Sequence, residues 1–249
     1  MSGEEADLLL TDPPYNVAIG QTGGRSERTD GKIIANDNMP ADDFYNFLYA
    51  FFSIVRGSIK QGAAFYVWHA TSSAMQFLGA MEDAGLQVRQ NLVWVKNNFT
   101  LGRQDYQWKH EPCLYGWKDG AAHYFVNKRN ISTVFEDKPD LQSMTKGQLI
   151  ELIKEIQDGN DATTVLHEDK PMRNEEHPTM KPIKLISRLI LNSTEEGQLV
   201  LDPFGGSGTT LIAAEQLNRR CYMMELDPQY ADVILARWEK LTGEEAIQE

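Results

Sequence analysis

The stretch Leu199-Val200-Leu201-Asp202-Pro203-Phe204-Gly205-Gly206-Ser207-Gly208-Thr209-Thr210 decides the fold. Leu199 to Leu201 reads as a short buried strand. The run breaks at Asp202-Pro203, passes three glycines, and resumes as a helix over Thr210 to Leu217. Strand, glycine turn and helix in that order is the setting of a nucleotide-type loop. Glycines let backbone approach a ligand closely, and a helix N-terminus favours an anionic group such as a carboxylate. The spacing is neither Gly-x-Gly-x-x-Gly nor Gly-x-x-x-x-Gly-Lys-Ser/Thr, which counts against nicotinamide dinucleotides and ATP. Glu225 follows Gly205 by twenty residues and closes the next strand-like run, Arg220 to Glu225. An acidic residue at that spacing can take both hydroxyls of a ribose.

Working outward, strands and helices alternate. Asp7 to Thr11, Ala63 to Trp68 and Val88 to Val95 read as strands; Asp42 to Lys60, Ser72 to Ala84, Ile183 to Asn192 and Pro228 to Leu241 read as helices. Pro112 to Trp117 and His123 to Val126 read as the arms of a hairpin around Lys118-Asp119-Gly120. This alternation predicts an α/β fold with a mainly parallel sheet and helices on both faces. The chain, 1–249, reads as one domain with one interruption over 136–176. There Thr145 and Gln148 form a capping box, and Leu149, Leu152, Ile153 and Ile156 share a helical face. That segment is predicted to be a small helical insertion.

Composition narrows the class. Of 249 residues, 41% are hydrophobic and 24% charged, as in ordinary globular domains. The two cysteines, Cys113 and Cys221, make neither a disulfide framework nor a metal spacing, so no metal is expected. No leader and no membrane span is read, and a cytoplasmic setting, in a bacterium or a phage-infected cell, is expected. The net charge of -12 argues against a nucleic-acid partner. However, Lys96, Arg103, Lys109, Lys118, Lys128 and Arg129 outnumber Asp105, Glu111 and Asp119 in the middle of the chain, and Arg25, Arg28 and Lys32 lie in a Gly- and Asp-rich loop after residue 20. A local basic surface on an acidic protein fits this as well as scattered solvated charge does.

The second chemical motif is Asp12-Pro13-Pro14-Tyr15, at the end of the first strand. Ligands of open α/β sheets sit beyond the carboxyl ends of strands. Consecutive prolines make a stiff turn that offers carbonyls but lacks N–H groups. A carboxylate, a carbonyl and an aromatic ring together suit an exocyclic amine of a base. Two acceptors, the Asp12 carboxylate and the Pro13 carbonyl, can hold its two N–H groups and aim its lone pair at a methyl donor. Tyr15 can stack on the base. Taken alone, four such residues are also an ordinary Asp-Pro turn. A third motif, His177-Pro178-Thr179-Met180-Lys181-Pro182, would by itself be a rigid loop.

The order of these motifs resembles the β-class amino-methyltransferases of DNA, in particular phage and prophage adenine-N6 methylases. Ala63 to His69 and Gly102 to Pro112 add to the resemblance, which covers most of the chain outside 136–176. It implies a circularly permuted, Rossmann-like class I methyltransferase fold with S-adenosylmethionine as cofactor and DNA as partner. It implies that Asp12, Pro13, Pro14 and Tyr15 form the catalytic base pocket, with Asn16 supporting the turn. Asp202, Phe204, Gly205, Gly206, Gly208 and Thr209 would line the donor's methionine part, Glu225 would hold its ribose, and Thr179 and Lys181 would reach its carboxylate. Asp at the head of the tetrad points to adenine N6; cytosine N4 is the alternative within the enzymes, and a non-catalytic DNA-binding subunit the alternative outside them. Relatives usually carry a strand ahead of the tetrad strand, whereas eleven residues precede Asp12 here, so an absent edge strand or a missing upstream domain is expected. A homodimer and a restriction-modification setting are further implications.

For DNA contact the expected residues are Arg25, Arg28, Arg103, Tyr106 and Lys109, since aromatic residues set between basic ones suit stacking on unpaired bases. Gly102 to Glu111 is read as a polar, basic loop, Trp68 and Trp117 as core, and His69 and His110 as hydrogen-bonding residues. The only segment open to a target-recognition role is 136–176, so a short or relaxed recognition sequence is expected.

Overall fold

The computed structural model describes residues 1, 3–17, 37–100, 105–136 and 180–248. The predicted insertion therefore lies, apart from Glu136, outside the described residues. Among the described residues seven strands form one sheet: β1 (Ala6–Thr11), β2 (Ile59–Trp68), β3 (Val88–Thr100), β4 (Trp108–Trp117), β5 (Val134–Glu136), β6 (Leu199–Asp202) and β7 (Arg220–Met223). Their order is β5-β3-β4-β2-β1-β6-β7. All pairings are parallel except the two made by β4, so the sheet is mainly parallel as expected. The α-helices among the described residues are α1 (Ala41–Ser58), α2 (Ala74–Asp83), α3 (Ile183–Ser193), α4 (Thr209–Gln216) and α5 (Pro228–Thr242).

The two sheet faces are buried by different helices. Phe44, Leu48, Phe52 and Val55 recur at helical spacing along α1 and pack with Phe77 and Met81 of α2 on Leu9, Phe65, Val67 and Leu201. Leu185, Ile186, Leu189 and Ile190 of α3 pack on the opposite face, with Leu8, Leu10, Tyr66, Trp68 and Val200. Because both faces are covered, the central strands read as nearly unbroken apolar runs rather than alternating ones. By period alone a short apolar run of this kind cannot be told from a buried helix; its length and flanking Gly or Asp residues settle the matter.

Three expectations need correction. The helix predicted to reach Lys60 stops at Ser58, because Ile59 pairs with Ala6 and enters β2. The β1–β2 register then shifts between Ala6 and Leu8. Gly62 lies within that shift at φ +80°, and a Cβ there would stand 2.5 Å from the Ala122 carbonyl oxygen. The predicted hairpin of 112–117 with 123–126 does not form. Both edges of β4 are taken, by β2 and β3, so no edge is left for 123–126. That segment is held instead by the His123 ring, which stacks on Trp117 with centroids 3.8 Å apart, and by the Val126 N–H, which donates to the Asn192 carbonyl at 3.0 Å. Finally, β3 and β4 are longer than predicted and β5 was not foreseen, so Trp108 to Glu111 belong to a strand and not to a polar loop. Trp68 is buried in the core as expected, whereas Trp117 is half-buried.

No helix among the described residues is long and apolar enough to cross a membrane.

Candidate active site

β1 and β6 are parallel neighbours with Leu8 opposite Val200 and Leu9 opposite Leu201. Register alone therefore brings the Asp-Pro-Pro-Tyr turn and the glycine turn out of the same sheet edge, side by side. The same edge receives the end of β3 and the start of β4, because β4 is antiparallel to both its neighbours.

In the first turn, one Asp12 carboxylate oxygen accepts the Tyr15 hydroxyl and the other accepts the Lys181 ammonium. A carboxylate offers about four lone-pair sites. Two donors therefore fix its plane and leave acceptor capacity on the exposed third of the side chain, which is 33% accessible. Burial pushes the Tyr15 phenol well above its usual pKa, and the charges of Asp12 and Glu111 add to this, so the hydroxyl stays a donor. Asn16 adopts φ +57°, a conformation in which Asn is among the tolerated residues. Its amide donates to the Met39 carbonyl at 2.9 Å and accepts the Met39 N–H at 2.6 Å. The Val17 N–H donates to Asp37 at 3.2 Å. These bonds clip together the two ends of the predicted loop, whose Arg25 and Arg28 lie outside the described residues.

Lys181 is placed differently from expectation. The resemblance puts its ammonium at a donor carboxylate; in the structure it is buried, 6% exposed, against Asp12, with the Tyr15 hydroxyl and Glu111 Oε2 each 3.4 Å away. It also sits 4.9 Å above the Trp68 ring. A buried ammonium needs paired anions, and the carboxylates of β1 and β4 are the ones the fold presents to it. Burial pulls its pKa down, but Asp12 and then Glu111 outweigh that, and the net direction is upward. Thr179, its companion in the motif, lies outside the described residues.

In the second turn the glycines divide by cause. A Cβ on Gly205 would stand 2.7 Å from the Met223 side chain, and one on Gly208 2.9 Å from Ile234, so these two are demanded by packing against β7 and α5. Gly206, at φ +53°, would meet nothing within 4 Å. It is the glycine that leaves backbone open to a ligand. Phe204 does not simply line the turn: its ring packs edge-on to Phe51 and Phe47 of α1, at 5.0 and 6.4 Å between centroids. Asp202 is buried, accepts the Phe204 N–H at 3.2 Å, and is raised by burial to a pKa of about 7. Thr209 is buried beside Ser207, hydroxyl to hydroxyl at 3.3 Å. Glu225 lies just beyond β7 and accepts the Gly206 N–H at 2.7 Å and the Asp227 N–H at 2.9 Å. It thereby links the open glycine to the start of α5. A buried carboxylate and an open αL glycine on one turn, with a second carboxylate reaching in from the end of the neighbouring strand, suit a donor carrying an ammonium and a ribose.

Of the residues expected at DNA, Arg103 lies outside the described residues. Tyr106 is 89% exposed and Lys109 is exposed, both at the site edge of the sheet. His69 is buried with Nδ1 3.0 Å from the Ala70 carbonyl oxygen, and burial lowers its pKa, so it is a neutral hydrogen-bonding residue. Among the described residues no group of three or more His, Cys, Asp or Glu is placed to hold a metal. The reading from sequence missed Glu111 and Lys96. Both were counted only as charge in a basic stretch, and no local pattern marks them.

Comparison with known proteins follows the same line. The model of a family described as DNA methylase, covering N6 and N4 methyltransferases, matches residues 6–236. Type II methyltransferase M.BglII of Bacillus subtilis is 25% identical over 259 positions, spanning 96% of this chain and 64% of that protein. The chain therefore spans just under two thirds of that relative's length. Type II methyltransferase M2.DpnII of Streptococcus pneumoniae is 26% identical over 249 positions, spanning 96% of this chain and 84% of that protein. Among solved structures, M1.HpyAVI in complex with SAM has a TM-score of 0.63 at 20% identity, covering 95% of this chain and 90% of that one. The cytosine-N4-specific PvuII DNA methyltransferase has a TM-score of 0.65 at 18% identity, covering 97% and 84%. These likenesses show the fold to be that of the class I methyltransferases.

Proposed function

The chain belongs to the DNA methylase family of N6 and N4 methyltransferases, and from that premise we propose that it transfers the methyl group of S-adenosylmethionine to the N6 amine of adenine in DNA. The observation that carries this reading is the meeting of the two turns: a carboxylate fixed by two donors beside a glycine turn with one open position. When bound, the donor supplies an electrophilic methyl on a sulfonium centre. The chain's part is positioning. Asp12 and the Pro13 carbonyl accept the N–H groups of an exocyclic amine, whose lone pair is otherwise delocalised into the base. No covalent enzyme intermediate is needed. Glu225 holds the donor's ribose, Gly206 lies along its methionine part, and Asp202 pairs with its ammonium. Adenine is preferred over cytosine because the tetrad begins with Asp12, as in N6 enzymes resembling this one.

A duplex hides the adenine amine, so the base must leave the stack at a cost of a few kcal/mol. Tyr106 and Lys109 at the site edge, together with Arg25, Arg28 and Arg103, would hold the strand around it. The 136–176 segment would carry target choice.

The direct test is to incubate the protein with S-adenosylmethionine and unmethylated DNA, digest the DNA, and identify nucleosides by mass spectrometry. N6-methyladenine is the expected product. N4-methylcytosine would keep the mechanism and overturn the target; no methylated base would overturn the reading.

A pH dependence follows from Asp202. The donor's ammonium pairs with the carboxylate form, and half of that form is lost near pH 7. Donor affinity is expected to rise about tenfold between about pH 6 and pH 8 by proton linkage, and to be weaker and flat in Asp202→Asn. Calorimetric titration at a series of pH values measures it; an equal slope in wild type and variant sinks the assignment. For stability the sign is opposite. The folded pKa of about 7 lies above the ordinary aspartate value of 3.8, so the folded state holds the proton more tightly, and this group's contribution falls as pH rises between those values.

A further inference from the structure

Behind Asp12 the charges alternate in a row that starts at Lys181 and runs on past it to β4 and β3. Lys96 on β3 pairs with Glu111 Oε1 at 2.5 Å, Glu111 Oε2 lies 3.4 Å from Lys181, and Lys181 pairs with Asp12. The row is built on a floor of two indoles. Trp94 is the cross-strand partner of Glu111, and Trp68 that of Cys113 two residues on, so both rings and the Glu111 side chain share one sheet face. The rings meet edge-on with centroids 6.3 Å apart. Lys96 stands 5.7 Å over Trp94 and Lys181 4.9 Å over Trp68. Both cations are thus held over aromatic faces with Glu111 between them.

We propose that Glu111 is a positioning residue for methyl transfer: through Lys181 it orients the Asp12 carboxylate and offsets the ammonium's charge, and so sets turnover rather than donor affinity. The proposal rests on the methyltransferase reading above. Two physical effects support it. First, Lys181 is a flexible chain that by itself would leave the direction of its bond to Asp12 free; a second anion on the far side pins the ammonium along the Asp12–Glu111 line. Second, as the N–C bond forms and the S–C bond breaks, positive charge passes from the donor's sulfur to the accepting nitrogen, which then releases one N–H proton to water. An ammonium paired with Asp12 alone would leave that nitrogen beside a neutralised carboxylate. With Glu111 sharing Lys181, Asp12 keeps part of its negative field for the amine.

The test uses the full chain with Glu111→Gln, which keeps size and hydrogen bonding, and Glu111→Asp, which keeps charge. Turnover, the KM for DNA and the dissociation constant for S-adenosylmethionine are measured for each. Expected for Glu111→Gln is a fall in kcat of about 10²-fold, the scale of a slightly misplaced reacting group, with donor affinity and the KM for DNA within about threefold. Glu111→Asp is expected to recover part of kcat. Donor affinity near wild type shows that Glu111→Gln is folded. Unchanged kcat in Glu111→Gln overturns the proposal. So does a loss confined to donor affinity, which would place Lys181 at the donor's carboxylate. Wild-type protein that methylates no base overturns the methyltransferase reading, and the proposal with it.

Discussion

Asp12→Ala is expected to lower methyl transfer by about 10³-fold, the scale at which preorganised electrostatic contacts act, while donor affinity stays within about threefold. The carboxylate is the one group in the first turn that can both accept an amine N–H and carry negative charge toward a nitrogen becoming positive. The Pro13 carbonyl remains in the variant, but as one acceptor it no longer defines the amine's orientation. Donor binding should survive because the glycine turn, Asp202 and Glu225 lie on β6, β7 and the loops after them. Lys181 loses its nearest anion but retains Glu111 at 3.4 Å, so the buried ammonium is not left without a carboxylate. Single-turnover methylation with donor titration on the same preparation measures both quantities. A variant turning over within tenfold of wild type would remove Asp12 from the chemistry.

Gly208→Ala is expected to lower the melting temperature by about 5–15 °C, the range for a loss of roughly 2–5 kcal/mol in a chain of this size. Two costs add. Gly208 sits at φ +79°, where a Cβ costs about 1–2 kcal/mol. Its Cβ would also stand 2.9 Å from Cγ1 and 3.1 Å from Cγ2 of Ile234, a branched side chain buried on α5. Such overpacking costs about 1–3 kcal/mol. Gly206→Ala provides the contrast. It shares the positive φ but meets open space, so its stability loss should be limited to the strain while donor affinity falls. Thermal melts with and without donor separate the two glycines. Equal melting temperatures for both variants would mean that Ile234 yields and that packing does not demand Gly208.

The two turns were legible in the sequence because their signals are local. Consecutive prolines, a positive-φ glycine and an apolar run ending in Asp act within a few residues, so Asp12, Asp202 and the glycines could be named from their immediate neighbours. The same locality explains the mistakes. The 123–126 segment carries the marks of a hairpin arm, yet hairpin formation depends on whether the edge of β4 is free, and β3 occupies it. The apolar period of α1 runs on to Lys60, but the helix stops two residues earlier because Ile59 is extended and pairs with Ala6, a contact across the sheet.

By itself the sequence determined which residues turn the chain at the strand ends, which faces of the helices are apolar, and hence the fold class and its two chemical turns. Only the tertiary structure decided where Lys181 points, that Glu111 and Lys96 stand behind it, and which glycines serve packing rather than a ligand. The reason is the range of the forces. Backbone sterics and burial patterns act over a few residues, whereas the partners of a buried charge are chosen by strand register, which joins β1, β3, β4 and the approach to α3 from distant parts of the chain.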